Sequence, residues 1–207
     1  MTDKTDNPAA DIAWMRQLAE QGRDAPLLNG PILVAASLIF GTANMVQWAI
    51  QSGALDVDPM VQLWVWLGAG AVFAIALYLL IQRFNRKSGS GSYGNKAVGA
   101  AWSGLGFGIF VMWLSLMAVG FSSNDWTMMW AMPSVVATAY GSAWIVSGSI
   151  SGRRWMTATG LVSYASAVLF GVLIGNPDIY LAFAGFMVLT ALAPGLVLMR
   201  QETAVAA

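Results

Sequence analysis

Residues 61–82 read VQLWVWLGAGAVFAIALYLLIQ, and residues 83–87, which follow directly, read RFNRK. The first stretch has no charged side chain, and it is as long as the roughly 20 residues that a helix needs to cross about 30 Å of hydrocarbon. Its apolar residues are continuous, whereas a membrane β-strand would alternate over about ten residues. The stretch therefore predicts a transmembrane helix that ends at a basic loop.

Further apolar runs of similar length occur on both sides of this one. Overall, 57% of the residues are hydrophobic and 10% are charged, whereas a soluble domain carries about 25% charged residues. We predict an all-α polytopic transmembrane helical bundle of about six transmembrane helices within residues 30–200, followed by a short cytoplasmic tail at 201–207. The predicted spans are residues 30–51, 61–82, 97–121, 126–150, 155–174 and 179–199.

The basic residues predict the orientation of the bundle, because cytoplasmic loops are enriched in Lys and Arg. If the N-terminus is cytoplasmic, all ten basic residues fall on the cytoplasmic side. The only charged residues of the three opposite loops are acidic, namely Asp56, Asp58, Asp125 and Asp178. We therefore expect a multi-pass protein of the inner (plasma) membrane with both termini in the cytoplasm.

The N-terminal segment, residues 1–29, is predicted to hold a short amphipathic helix at the cytoplasmic surface or membrane interface. Asn7 and Pro8 suit a helix start, and Gly22 suits a stop. An apolar stripe recurs at helical spacing between them and consists of Ile12, Trp14, Met15 and Leu18. Its polar face is not basic, so such a helix would lie at the interface, cap the bundle or dock a partner protein.

Several chemistries are disfavoured by composition. The chain has no cysteine and no histidine, which removes thiolates, imidazole bases and the usual ligands of zinc, haem and iron–sulfur clusters. The predicted spans contain no ionisable residue of the kind that marks ion-coupled pathways. The formal net charge is zero, which gives no sign of a nucleic-acid partner. We therefore expect no catalytic residues, no cofactor and no metal site, and the loop aspartates are interpreted as solvated acids.

Neutral polar residues within the spans are the remaining candidates for a site. Asn44 and Gln47 are three residues apart and so share a helix face. Together with Thr138 they could line a polar cavity, or they could hydrogen-bond neighbouring helices, which is the commoner role of such residues.

Small residues predict close helix packing at two places. Gly104 and Gly108 form one G-x-x-x-G pair and Gly171 and Gly175 another, a spacing that lets helix backbones approach within one chain or between copies of a homo-oligomer. Pro194-Gly195 is expected to kink or end the last helix.

Two functions fit these features. The first is a non-enzymatic accessory, regulatory or scaffold component that presents its cytoplasmic face to a cytoplasmic or membrane protein partner. The alternative is a facilitator, or permease, for an uncharged or amphipathic small molecule, with a path lined by Asn44, Gln47 and Thr138.

Overall fold

The computed structural model describes Ile12, residues 27–86 and residues 91–206. Of these residues 86% are helical and none is in a strand, as the sequence predicted. The helices are α1 (Gly30–Gln51), α2 (Met60–Phe84), α3 (Tyr93–Ser123), α4 (Met132–Ser151), α5 (Arg154–Val172), α6 (Asp178–Met187) and α7 (Ala193–Ala206). A 3₁₀ turn at Thr127–Ala131 precedes α4, and a π-helical turn at Val188–Leu192 joins α6 to α7.

Five helical segments are long and apolar enough to cross a membrane: Gly30–Gln51, Met60–Phe84, Tyr93–Ser123, Arg154–Val172 and Asp178–Glu202. They correspond to five of the predicted spans. The remaining predicted span, 126–150, begins with the 3₁₀ turn and continues as α4. The many Ser, Thr and Gly residues of α4 make it less apolar than the other five segments.

Helix ends differ from the predictions where local hydrogen bonds extend a helix. The third predicted span starts at residue 97, but α3 starts at Tyr93, because the Ser92 Oγ caps it by accepting a bond from the Asn95 N–H at 3.3 Å. The predicted tail is helical up to Ala206. The predicted N-terminal helix lies outside the described residues, apart from the exposed side chain of Ile12.

The bundle consists of two groups of helices. In the first group α1 packs against α2, α6 and α7, and in the second α4 packs against α3 and α5. The groups are joined where α6 contacts α4 and α5. The core at this junction is aromatic and includes Trp144, Phe170, Phe183 and Phe186. The rings of the three phenylalanines meet at tilted or edge-to-face angles.

The helices α2 and α3 lie at the edges of the bundle. Each packs mainly on one neighbouring helix, and only 6% of the most apolar window of each is buried. Large apolar side chains such as Ile75 and Phe107 are exposed along them. These surfaces therefore match lipid better than water.

The π-helical turn has a physical cause in Pro194. In a regular α-helix the N–H of residue 194 would donate to the carbonyl of Thr190, but proline has no N–H and its ring crowds that carbonyl. The indole Nε1–H of Trp144 donates to the Thr190 carbonyl instead, at 2.9 Å. The predicted disturbance at Pro194 is therefore a π-helical turn whose freed carbonyl is bonded from α4.

Two further donors hold the same turn. The Ser37 Oγ of α1 donates to the carbonyl of Met187 at 2.9 Å, and the Thr190 Oγ1 donates to the carbonyl of Phe186 at 2.8 Å. All four of these residues are buried, and none is more than 4% exposed. Donors from α1 and α4 thus meet on one irregular turn and fix the two groups of helices relative to each other.

Glycine allows a close approach where α1 meets α7. An added Cβ at Gly30 would lie 2.7 Å from the carbonyl oxygen of Gly195, and one at Gly195 would lie 2.9 Å from that of Gly30. No side chain fits between the two backbones, so the first and last helices cross in direct backbone contact.

We predict that Trp144→Phe lowers the free energy of unfolding by about 1–3 kcal/mol, because a buried carbonyl loses its donor. The measurement is reversible unfolding in mixed micelles of a mild detergent and dodecyl sulfate. Pro194→Ala supplies a backbone N–H for the same carbonyl, so the penalty for Trp144→Phe should shrink in that background. An equal penalty in both backgrounds would contradict this account of the turn.

Candidate functional site

The most polar site within the helices is a cluster of three glutamine amides between α1 and α2. The Gln62 Oε1 accepts hydrogen bonds from the Gln47 Nε2 at 2.7 Å and from the Gln51 Nε2 at 2.9 Å. The Gln47 Oε1 accepts from the indole Nε1–H of Trp66 at 3.1 Å. Because Gln47 is only 3% exposed, these bonds replace bonds to water.

Helix periodicity explains how the cluster forms. Gln47 and Gln51 are one turn apart on α1, and Gln62 and Trp66 are one turn apart on α2, so each pair lies on one face of its helix. The short connection between the helices places the two faces opposite each other near the turn. The amides meet because each can both donate and accept.

The start of α6 adds a second set of contacts beside the amide cluster. The Trp48 Nε1–H donates to the Asp178 Oδ1 at 3.1 Å, and Tyr180, two residues further along α6, is buried. The Tyr180 ring also packs against Trp130, with 5.3 Å between ring centroids. The site therefore ties α1, α2 and α6 together at the end of the bundle that carries the acidic loops.

The structure separates the three residues expected to line one cavity. Asn44 is buried on the same side of α1 as Gln47, but its Nδ2 donates to the Phe40 carbonyl of its own helix at 2.8 Å. Thr138 lies on α4, which packs against α3 and α5 rather than α1. Thr138 therefore belongs to a different surface from Asn44 and Gln47.

That surface is an open groove of about 540 Å³ between α4 and α5. Its lining is formed by Ser134, Val135, Thr138, Tyr164, Ala167 and Val168. The groove runs along the two helices, because its lining residues follow one another at one-turn spacing on each. It lies on the outside of the bundle and does not lead through it.

Three hydroxyl groups beside the groove bond to the protein itself, whereas the buried Ser134 Oγ has no hydrogen-bond partner among the described residues. The Thr138 Oγ1 donates to the Ser134 carbonyl at 2.9 Å, and the Ser142 Oγ donates to the Thr138 carbonyl at 3.2 Å. The Tyr164 hydroxyl lies 3.0 Å from the Ser142 Oγ and forms a hydrogen bond with it. The groove surface consequently behaves as largely apolar.

The predicted packing glycines occupy open positions within the part of the chain that the structure describes. An added Cβ at Gly104, Gly108, Gly171 or Gly175 would meet no described atom within 4 Å. They do not pack helices of this chain together, and a role between copies stays a prediction.

Other glycines form the close contacts, above all between α4 and α5. An added Cβ at Gly141 would lie 2.5 Å from the Tyr164 ring, and one at Gly160 would lie 2.9 Å from the Gly141 carbonyl oxygen. The sequence shows that both helices contain small residues, but it does not show which of them face each other. The contact partner, and not the G-x-x-x-G spacing, decides which glycines matter here.

No three acidic side chains of the described residues lie close enough to hold a metal ion. Asp125 instead accepts bonds from the Thr127 Oγ1 at 2.5 Å and the Thr127 N–H at 2.9 Å. These two bonds hold the pKa of the exposed Asp125 carboxyl below its usual value. The carboxylate therefore starts the 3₁₀ turn that leads into α4.

We predict that Gln62→Leu lowers the free energy of unfolding by about 1 kcal/mol, because interhelical hydrogen bonds in membrane proteins average about 0.6 kcal/mol each and two are lost. Thr138→Val is the matched control, since its hydroxyl bonds only to its own helix, and it should change stability much less. Unfolding in mixed micelles measures both. A Gln62→Leu variant as stable as the wild type would show that the amide cluster does not hold α2.

Comparison with known proteins found no matching family model, no matching curated protein and no matching solved structure.

Proposed function

We propose that this chain is a six-span inner-membrane protein that serves as an accessory, regulatory or scaffold component and presents its cytoplasmic face to a partner protein. The observation that supports this proposal is that polar side chains inside the bundle are hydrogen-bonded to other groups of the protein. The amides of Gln47, Gln51 and Gln62 and the indoles of Trp66 and Trp144 bond to one another or to backbone groups. Within the described residues, the buried side-chain oxygens without a hydrogen-bond partner are the Asn29 Oδ1 and the Ser134 Oγ, so little buried polarity is left to act on a substrate.

The sixth span of this proposal is α4. It has 20 residues and so measures about 30 Å, the thickness of the hydrocarbon core. Both of its glycines, Gly141 and Gly148, and Ser147 are buried. A helix that packs between α3 and α5 exposes less of its surface to lipid, so it can be less apolar than α2 or α3.

Contacts at the two ends of the bundle support an even number of spans. Leu28 lies just before α1, and its backbone N–H donates to the Asn95 Oδ1 near the start of α3 at 3.1 Å. The Arg153 guanidinium before α5 donates to the Gln201 side chain of α7. Both contacts lie at the end of the bundle where the connecting segments contain Arg and Lys. The contact between Trp48 and Asp178 lies at the opposite end.

We expect reporter fusions after Gln51 and after Lys87 to fall on opposite sides of the membrane, with the first outside and the second in the cytoplasm. Paired alkaline phosphatase and green fluorescent protein fusions measure this, since each is active on only one side. Fusions after Ser123 and after Ser151 test whether α4 crosses. If both members of either pair report the same compartment, the six-span topology is wrong.

The facilitator alternative gains less support from the described residues. A permeation path would need polar groups that remain available along the bundle axis. Asn44 and Gln47 have protein partners inside the bundle, and Thr138 faces an open groove on the outside. These positions do not support a path along the bundle axis.

The cytoplasmic end has features suited to a partner. The helix α3 has 31 residues and is about 46 Å long, which exceeds the roughly 30 Å hydrocarbon core. Its N-terminal part, with Lys96, would project into the cytoplasm. Leu27 and Leu28 are buried beside it, so the N-terminal segment leaves the bundle from a fixed point close to this projection.

We predict that a partner is retained through the apolar stripe of the N-terminal segment. The full chain carrying Trp14→Ser and Leu18→Ser is compared with one carrying Gln17→Ser and Gln21→Ser, which alters the polar positions of the same segment. Affinity capture from native membranes with quantitative mass spectrometry should show a protein that is recovered at least about tenfold less with the apolar variant, as expected when large interface anchors are removed. The polar variant should match the wild type.

Deletion of residues 1–24 gives the limiting case of the same experiment. Equal recovery of every protein with the full chain and with the deletion would contradict docking through this segment. Membrane extraction of each variant is checked first, so that a lost partner is not confused with a lost protein.

A further inference from the structure

The helix α4 differs from the other proposed spans in hydropathy. It has 20 residues, which is enough to cross the hydrocarbon core, but it is not among the five described segments that are also apolar enough to do so. It contains no leucine and no phenylalanine, and these are among the residues that favour membrane insertion most. A helix of this composition has a weak tendency to enter lipid by itself.

The connection between α4 and α5 is very short. The helix α4 ends at Ser151, and α5 begins at Arg154. Between them Gly152 adopts a left-handed conformation with a φ of 68°, which glycine tolerates without strain, and Arg153 follows it. Two antiparallel helices joined in this way form an αα-hairpin. The pair can therefore assemble before the rest of the bundle is in place.

Glycines bring the backbones of α4 and α5 together at two levels. An added Cβ at Gly160 would lie 2.9 Å from the Gly141 carbonyl oxygen, and one at Gly148 would lie 2.9 Å from the backbone nitrogen of Thr157. Both distances are shorter than a real side chain allows. Gly141 and Gly148 are two helical turns apart, so one face of α4 follows α5 for about 10 Å. This contact covers the least apolar face of α4.

The contact of α4 with α3 has a different construction. The Trp102 indole of α3 donates to the Ser147 Oγ at 3.1 Å, and its ring meets those of Tyr140 and Trp144 edge to face. These contacts come from one side chain of α3. An added Cβ at Gly104, two residues beyond Trp102, would meet no described atom within 4 Å. The helix that meets the backbone of α4 directly is therefore α5.

We propose that α4 crosses the membrane only as the partner of α5, so that the interface between these two helices decides the topology of the second half of the chain. The inference rests on the six-span topology of the proposed function, and it adds how that topology is reached. Without the pairing, α4 stays on the outer side, where the connection between α3 and α4 already lies. Gly152 and Arg153 then lie on that side as well.

The test uses cysteine labelling of the full chain, which has no cysteine of its own. Ser123→Cys reports the outer end of α3, and Ser151→Cys, in a separate chain, reports the end of α4. Spheroplasts are treated with a membrane-impermeant maleimide, and the labelled fraction is divided by the total labelling after denaturation in dodecyl sulfate. Ser123→Cys should be labelled from outside, and Ser151→Cys should be protected.

Two substitutions of the same kind on α5 separate pairing from hydropathy. Gly160→Leu forces a side chain against the Gly141 carbonyl, whereas Gly171→Leu adds the same side chain where an added Cβ meets no described atom within 4 Å. We expect Gly160→Leu to raise the outside labelling of Ser151→Cys about fivefold or more, the effect of an overpacking cost of the usual size. Gly171→Leu should leave the labelling unchanged.

A substitution within α4 gives opposite expectations under the two explanations. Gly141→Leu makes α4 more apolar, so it would favour insertion if hydropathy were decisive. An added Cβ at this position lies 2.5 Å from the Tyr164 ring, so the substitution also disturbs the interface with α5. We expect Gly141→Leu to expose Ser151→Cys in the same way as Gly160→Leu.

A rescue experiment separates failed insertion from general misfolding. Thr138→Leu and Ser149→Leu replace exposed side chains of α4 outside the two close contacts, and they make the helix more apolar. Added to the Gly160→Leu chain, they should restore the protection of Ser151→Cys, because α4 then enters lipid without its partner. Exposure that persists in this chain would indicate misfolding and would count against the inference.

Other results would contradict the inference directly. Protection of Ser151→Cys in every variant means that α4 crosses without α5, which leaves the six-span topology intact. Equal exposure with Gly171→Leu assigns the effect to added bulk, and exposure with Trp102→Leu but not with Gly160→Leu assigns the insertion of α4 to α3. Outside labelling of Ser151→Cys in the otherwise unchanged chain, or protection of Ser123→Cys, contradicts the six-span topology and with it the proposed function.

Discussion

The carbonyl group of Thr190 needs a donor that its own helix cannot supply, and the position of α4 depends on this need. Pro194 removes the regular N–H, and the Trp144 indole replaces it from another helix. A buried carbonyl without a partner is costly. The bond therefore fixes how α4 is rotated about its own axis and how far along α6 and α7 it lies. The Ser37 hydroxyl does the same for α1, so three helices converge on one irregular turn.

The remaining polar contacts reinforce this junction from its two ends. At one end the glutamine amides hold α2 to α1, and Trp48 joins α1 to Asp178 at the start of α6. At the other end Asn95 holds the segment before α1, and Arg153 holds α7. Between these ends the packing is mainly apolar or aromatic, with the bonds at the π-helical turn and the bond between Ser142 and Tyr164 as polar contacts. Each single bond is weak, but their positions at the top, middle and bottom of the bundle leave little freedom for the helices to slide.

The sequence predicts the helices better than it predicts their partners. Runs such as 30–51 and 61–82 can be recognised because length and hydropathy are local properties, and Pro31 and Arg83 mark boundaries. Which glycines are in contact is not local: Gly141 matters because Tyr164 lies over it, whereas Gly104 has the expected spacing but no neighbour. The same holds for the site, since Gln47 stands out in the sequence, while its bond to Gln62 depends on how α1 and α2 fold back. The π-helical turn likewise requires Trp144, which is far away in the chain.

The low hydropathy of α4 follows from these contacts and bears on what the protein can do. In α4 both glycines and Ser147 are buried, the glycines permit close approach to α5, and the Ser147 hydroxyl bonds to a carbonyl of its own helix. Its polar content therefore serves assembly of the bundle. Because most polar groups of these helices are used in this way, specific chemistry is left to the ends of the helices and to the surfaces of α2, α3 and the groove. Under the proposed function these surfaces are the ones available to lipid and to a partner protein, and this is the physical reason for proposing a scaffold role.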